Sequence, residues 1–423
     1  MIVENDVDYF IVQAKVQNGL LIQDELVQPF KNVSTGSSFK KSNKRQSGFY
    51  STNDPLNNSD FKNNIDVELF TNHLQEIYEN QHEIILSNTF YNDAKQFISQ
   101  LGEVLNFTVI VKHDEQFDIY LKDSHNIKSA KRLFLADITI LVNISNYPVL
   151  IKRECELLDQ ENLEDQIKNQ IKKIIAEYIP YIHLSYRDVS HEELDLILPA
   201  GKGGILIHET IGHALEADYF FNEKSFLYDK MFKKISSMPI CVSDICDKKN
   251  MIAFDYSDDA TQCSNVELVK DGRIIGIMSD RATSQTWKIP NTGNGRASAY
   301  NQPVLPRMRN TYIHNGESPP EAIISETQKG IYAFDLGGGQ VDIKTGEFLF
   351  NVQCGYLIEN GTPIALVKPF LFKGNALDVL SRIDKIGNDL KFQLATCGKL
   401  GQLLPISFGQ PTIRIAKQRI TGD

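Results

Sequence analysis

Apolar and polar positions alternate in two different rhythms along this chain. Residues 9–24 read as a hairpin, with apolar-rich runs flanking Asn18-Gly19, a strong two-residue turn signal. From about Asn32 to Asn64 the chain is rich in Ser, Asn, Lys and Gly and reads as exposed loop with a strand or two inside. Residues 66–80 have helical spacing, with Leu69, Phe70, His73, Leu74 and Ile77 on one side. A second helix is expected over 93–104, then strands at 105–112, 117–121, 132–144 and 148–153. A long polar helix is expected from about Asn162 to Tyr178, stopping before Pro180.

The rhythm changes near residue 190. Leu194 to Leu198 reads as a strand, and Pro199-Ala200-Gly201-Lys202-Gly203-Gly204 leads into a helix over Ile205 to Asp218. Most later signals are β. Asp271-Gly272 and Asn360-Gly361 are hairpin turns, and Gly337-Gly338-Gly339 precedes a strand pair. Two helices interrupt: one capped by Ser318 with Pro319 in its first turn, one near Asn375 to Asp384. The fold class expected is α+β, with a mixed α/β N-terminal domain over 1–188 and a β-rich C-terminal domain over 189–423.

Length supports that division, since 423 residues exceed one ordinary core. The net charge of −10 argues against nonspecific nucleic-acid binding, which depends on Lys and Arg neutralising phosphates. The first six residues are acidic where a secretory signal would be basic, and no apolar run approaches the roughly 20 residues that span a bilayer. We expect a cytoplasmic protein with no membrane association. Its six cysteines are then free thiols unless they bind metal. The pair Cys241 and Cys246 is spaced poorly for a zinc knuckle, and no second pair follows.

The candidate chemistry lies in His208-Glu209-Thr210-Ile211-Gly212-His213. Imidazole nitrogen suits zinc, and a Glu beside a metal-bound water can take its proton. In the familiar zinc-peptidase pattern the histidines are four apart and share a helix face. Here they are five apart, about 140° around a regular α-helix. Either a π-bulge closes that angle or the helix distorts at Gly212. The bland alternative is a helix that happens to hold two histidines. Gly201-Lys202-Gly203-Gly204 lacks the spacing and the Ser/Thr of a phosphate loop and reads as a turn feeding the helix.

Several separated blocks settle the choice by resemblance. The stretch from Gly203 to Asp218 resembles the signature of the TldD/PmbA family, whose TldD branch carries His-Glu-x-x-x-His. Gly293-Asn294-Gly295-Arg296, Pro306-Arg307-Met308-Arg309-Asn310-Thr311 and Gly338-Gly339-Gln340-Val341-Asp342 follow in family order. Ile386-Gly387-Asn388-Asp389 and Cys397-Gly398-Lys399-Leu400-Gly401-Gln402 complete the set. The resemblance runs from about 194 to 416. Before it, only Gly48-Phe49-Tyr50-Ser51-Thr52-Asn53 is similar.

The resemblance implies a zinc metallopeptidase with His208, His213 and Cys397 as metal ligands and Glu209 as general base. It implies short or unfolded peptides bound as extended strands, with leader-peptide trimming in modified-peptide maturation as one role. It also implies a dimer, either with a homologous TldE/PmbA-like subunit or with a second copy of this chain. Glu216 and Asp218 either orient a ligand imidazole or cap the helix, and His314 either assists the reaction or packs elsewhere. Two other classes stay open: a noncatalytic subunit completing a partner's chamber, and a zinc amidohydrolase acting on a non-peptide amide.

Overall fold

A computed structural model describes residues 9–23, 26–43, 46–52, 86–87, 89–122, 125–157, 162–246 and 252–421. The helix expected over 66–80 and most of the polar stretch after residue 52 lie outside the described residues. The architecture is mixed α/β and mostly sheet.

Two sheets organise the described residues. The first has twelve strands and takes them from both sides of residue 189. Its N-terminal portion is a meander through Tyr147–Glu156, His125–Ile144, Glu103–Lys122, Tyr9–Gln23, Leu26–Asn43 and Gln46–Thr52. Its C-terminal portion includes Val242–Ile245, Asn310–Ile313, Gln402–Gln410 and Lys391–Lys399. The two portions meet at one paired position, Leu394 opposite Glu154. The second sheet has eight strands, and in it Glu193–Leu198 lies between Ile413–Arg419 and Lys329–Val341.

The second sheet is buried on both faces, and its strand alternation shows how. Leu196 and Leu198 face one core cluster with Leu206, Ile211 and Ile331. Ile197 between them faces another, with Phe334, Tyr356 and the helix residues Ile167 and Ile171. That helix, Leu163–Tyr178, buries Leu163, Ile167, Ile171, Ile174, Ile175 and Tyr178, one apolar stripe at helical spacing. A single 3₁₀ turn containing Pro180 follows it, close to the expected stop.

Several expectations are corrected. Asn18-Gly19 is no turn: Tyr9–Gln23 is one continuous strand, paired on both sides along nearly its whole length. Two full ladders outweigh the local turn preference. The strands expected at 105–112 and 117–121 are one, Glu103–Lys122, because pairing with His125–Ile144 runs through the polar stretch between them. Gly337–Gly339 lies inside Lys329–Val341, at irregularities in its register with Glu347–Glu359. The helix expected after Ser318 is Pro320–Ser325, since the Ser318 backbone bridges to Gly387. The next runs Ala376–Ser381, where the Asn375 side chain accepts from the Leu377 N–H, and it ends early because Ile383–Ile386 pairs with Ile413–Arg419. Among the described residues no helix is long and apolar enough to cross a membrane.

Candidate metal centre

The helix over 205–218 is a succession of different turns. Ile205–Ile207 forms a single α-turn, His208–Gly212 a π-turn, and His213–Leu215 a 3₁₀ turn. The His213 N–H donates to the His208 carbonyl, so the turn is wider by one residue. That extra residue brings two histidines five apart onto one side, with ring centroids 4.8 Å apart. Gly212 makes room for it: a Cβ there would lie 2.0 Å from the Met308 sulfur. Glu216 adopts extended geometry and stops the run before Ala217–Phe221.

Cys397 reaches the same place from the strand Lys391–Lys399. Its Sγ lies 3.3 Å from His213 Nε2, across 184 residues of sequence. One donor atom from each of His208, His213 and Cys397 falls within 4.8 Å of the others, and all three residues are buried. This donor set fits a metal. Two donors on one tetrahedral zinc stand about 3.5 Å apart, close to the sulfur–nitrogen separation here. His208 Nδ1 is buried without a hydrogen-bond partner. Among the described residues no other such cluster occurs, and Cys241 and Cys246 lie outside it.

The electrostatics favour the metal-binding form of the thiol. Burial opposes ionisation, yet His208 and His213 draw the Cys397 thiol down to about 4, and the thiolate is the ligand form. His213 Nδ1 sits 3.0 Å from a Glu216 carboxylate oxygen. With Nδ1–H donating there, Nε2 is left toward the sulfur. Burial opposes the Glu216 charge, but Lys399 and His213 hold it at about 2. Glu209 lines the same cavity of about 320 Å³, and burial pushes its carboxyl up.

Of the two acidic residues in question, Glu216 therefore contacts an imidazole and Asp218 does not. Asp218 accepts instead from Lys399 Nζ at 2.7 Å. His314 lies outside the cavity, stacked on Tyr312 and 2.9 Å from the Ser243 hydroxyl.

Two buried cations at the site are not marked by the motifs themselves. Lys399 Nζ has three acceptors, Glu216 at 2.8 Å, Asp218, and the Pro306 carbonyl at 3.0 Å, and it lies 4.1 Å from the Tyr219 ring centroid. Arg307 is fully buried and donates to the Cys397 carbonyl at 2.8 Å. Both belong to blocks already singled out, two residues after Cys397 and one after Pro306. Charged residues inside otherwise apolar or glycine-rich blocks were the available signal.

Residues 191–422 match the model of the PmbA/TldA metallopeptidase C-terminal domain. A metalloprotease TldD homolog of Buchnera aphidicola is 32% identical over 267 residues, 62% of this chain and 55% of that protein. A zinc metalloprotease TldD homolog of Saccharolobus solfataricus is 31% identical over 232 residues, 54% and 52% of the two lengths. The chain thus spans about half the length of the curated relatives it matches. The crystal structure of TldE from Thermococcus kodakarensis superposes with a TM-score of 0.73 at 14% identity, covering 98% of this chain and 96% of that one, which shows a shared fold. The matched domain model covers more than half of the sequence, and the chain belongs to the PmbA/TldD family.

Proposed function

We propose that this chain is a zinc-dependent peptidase acting on short or unfolded peptides. The observation that carries the reading is one cavity in which the buried residues His208, His213 and Cys397 converge beside Glu209. In this reading the three residues hold zinc and Glu209 is the general base. Bound zinc supplies Lewis acidity, making water nucleophilic near neutral pH and favouring negative charge on the carbonyl oxygen. Glu209 accepts a proton from water at its carboxylate as the water oxygen joins the carbonyl carbon. It returns that proton to the amine as the C–N bond breaks. Glu216 holds the His213 ring in place, and Lys399 keeps Glu216 charged.

The finer parts of the reading rest on family likeness. We assign leader-peptide trimming in modified-peptide maturation as one use of the activity. We assign a cytoplasmic location and a dimer with a homologous TldE/PmbA-like subunit. We assign the domain boundary to residue 189, with the donors and the lining of their cavity all in the C-terminal part.

Zinc content and hydrolysis of unfolded peptides, measured together, test the central claim. Glu209→Ala retains zinc and loses about 10²–10⁴-fold in kcat. Cys397→Ala loses most of its zinc. Unchanged turnover in Glu209→Ala, or full zinc occupancy in Cys397→Ala, rejects the corresponding role.

A further inference from the structure

Two sequence blocks have no part in the proposed chemistry, Gly293-Asn294-Gly295-Arg296 and Pro306-Arg307-Met308-Arg309-Asn310-Thr311. The structure folds them onto each other. Gly295–Arg296 pairs with Leu305–Pro306. The Arg307 N–H donates to the Asn294 carbonyl at 2.9 Å, and the Asn294 amide donates back to the Arg307 carbonyl at 3.1 Å. Asp244 accepts from the same amide at 2.9 Å and from Arg309 Nε at 3.0 Å. Arg296 closes the unit by donating to the Met308 carbonyl at 2.7 Å. All three arginines are buried.

This unit touches both arms of the metal centre through adjacent residues. Met308 lies against the π-turn, where a Cβ on Gly212 would fall 2.0 Å from its sulfur. Arg307 reaches the cysteine hairpin and grips it on both strands. It donates to the Cys397 carbonyl at 2.8 Å on one strand and to the Gln402 carbonyl at 3.4 Å on the other. Arg296 holds that second strand further along, through the Pro405 carbonyl at 2.8 Å. A guanidinium suits the task because its donors form a rigid planar fork, so two contacts fix direction as well as distance.

Arg307 differs from Arg309 in what answers its charge. Arg309 pairs with Asp244, and both side chains are fully buried. Among the described residues no carboxylate lies within ion-pair distance of Arg307, and its Nε has no hydrogen-bond partner. Burying a cation without a carboxylate costs stability. Folding alone does not call for a cation here, and both of its contacts are with the hairpin that carries a metal donor.

We propose that Arg307 is a positioning residue for the metal centre, holding Cys397 at the separation from the histidines that a shared ion requires. This rests on the ligand set proposed above. The Cys397 sulfur stands 3.3 Å from His213 Nε2. Metal–donor distances tolerate only about 0.2 Å, so a hairpin displaced by about 1 Å no longer presents the sulfur as a ligand. The two blocks act as a template, with the histidine turn fitted to Met308 and the cysteine strand to Arg307.

Cobalt(II) in place of zinc tests this, because a thiolate on cobalt gives a sulfur-to-metal charge-transfer absorption that imidazole does not. Metal-free full-length protein is titrated with cobalt, and zinc affinity is measured by competition with a chelator. Thermal unfolding of the metal-free proteins shows that each variant is folded. Wild type gives the band, and Cys397→Ala sets the baseline without it. In Arg307→Met the band per bound cobalt falls toward that baseline, and zinc affinity drops about 10–100-fold. Arg307→Lys reaches one carbonyl at a time and falls between wild type and Arg307→Met in both readouts. A wild-type band in Arg307→Met overturns the proposal even if affinity falls, since the sulfur is then still in place. Should Arg307→Met not fold, Arg307→Lys decides: wild-type band and affinity overturn the proposal, and a weakened band in a folded protein supports it. Absence of the band from wild type removes Cys397 from the ligand set, and this inference with it.

Discussion

The helical arm that carries His208 and His213 is held by a large apolar core, whereas the strand that carries Cys397 adds charge and hydrogen bonds to a small apolar cluster with Ile406 and Phe408. Around the first arm lie Leu206, Ile207, Ile211, Ala214 and Leu215, all fully buried in one apolar cluster. The second arm is a hairpin whose tip exposes Leu400 and Leu403. Its fixed points are Arg307 on the Cys397 carbonyl and Lys399 on Glu216 and Asp218. A metal site assembled from distant segments needs a link between them. Here that link is Lys399, which belongs to the cysteine strand and bonds the carboxylate that steadies the histidine.

The largest effect should follow from cutting that link. Lys399→Met leaves the fully buried Glu216 carboxylate without its cation, and losing one partner of a buried pair costs about 3–5 kcal/mol. Thermal unfolding of metal-free protein measures this without interference from zinc. A midpoint within a degree of wild type would show that the arms are joined by something else.

A smaller effect is expected in the packed arm. Gly212→Ala drives a methyl into Met308, itself buried, and overpacking of this kind costs about 1–3 kcal/mol. Chemical denaturation reads it directly. No loss of stability would mean that the π-turn is set by something other than this close approach.

The smallest concerns the hairpin tip. Leu403 is 68% exposed, so Leu403→Ser should change stability by less than about 0.5 kcal/mol. A loss above 1 kcal/mol in the same denaturation experiment would show that the tip is anchored by apolar contact, against the contrast drawn above.

The two arms also differed in how far they could be read beforehand. Histidines five apart with a glycine between them demand an irregular helix, and the π-turn at His208–Gly212 meets that demand. The requirement is local, so it is visible in a short window. Cys397 is not local. No spacing rule points to it, and only the family blocks brought it into view. Lys399 and Arg307 were harder still, because a buried cation makes sense only once its acceptors are known. The Asn18-Gly19 error has the same root in reverse. A good local turn signal lost to two long ladders whose partners lie far along the chain.

The 184-residue interval between His213 and Cys397 has a consequence for biosynthesis. A ribosome adding about 5–20 residues per second needs about 10–40 s to travel that far. During that interval the nascent chain has both imidazoles and the proposed base Glu209, but not yet the Cys397 thiol that completes the donor cluster. Under the proposed reading, a chain that acts on unfolded polypeptide is itself unfolded polypeptide while it is being made. In that reading, placing Cys397 so late withholds the completed centre from the growing chain and from its neighbours on the same message.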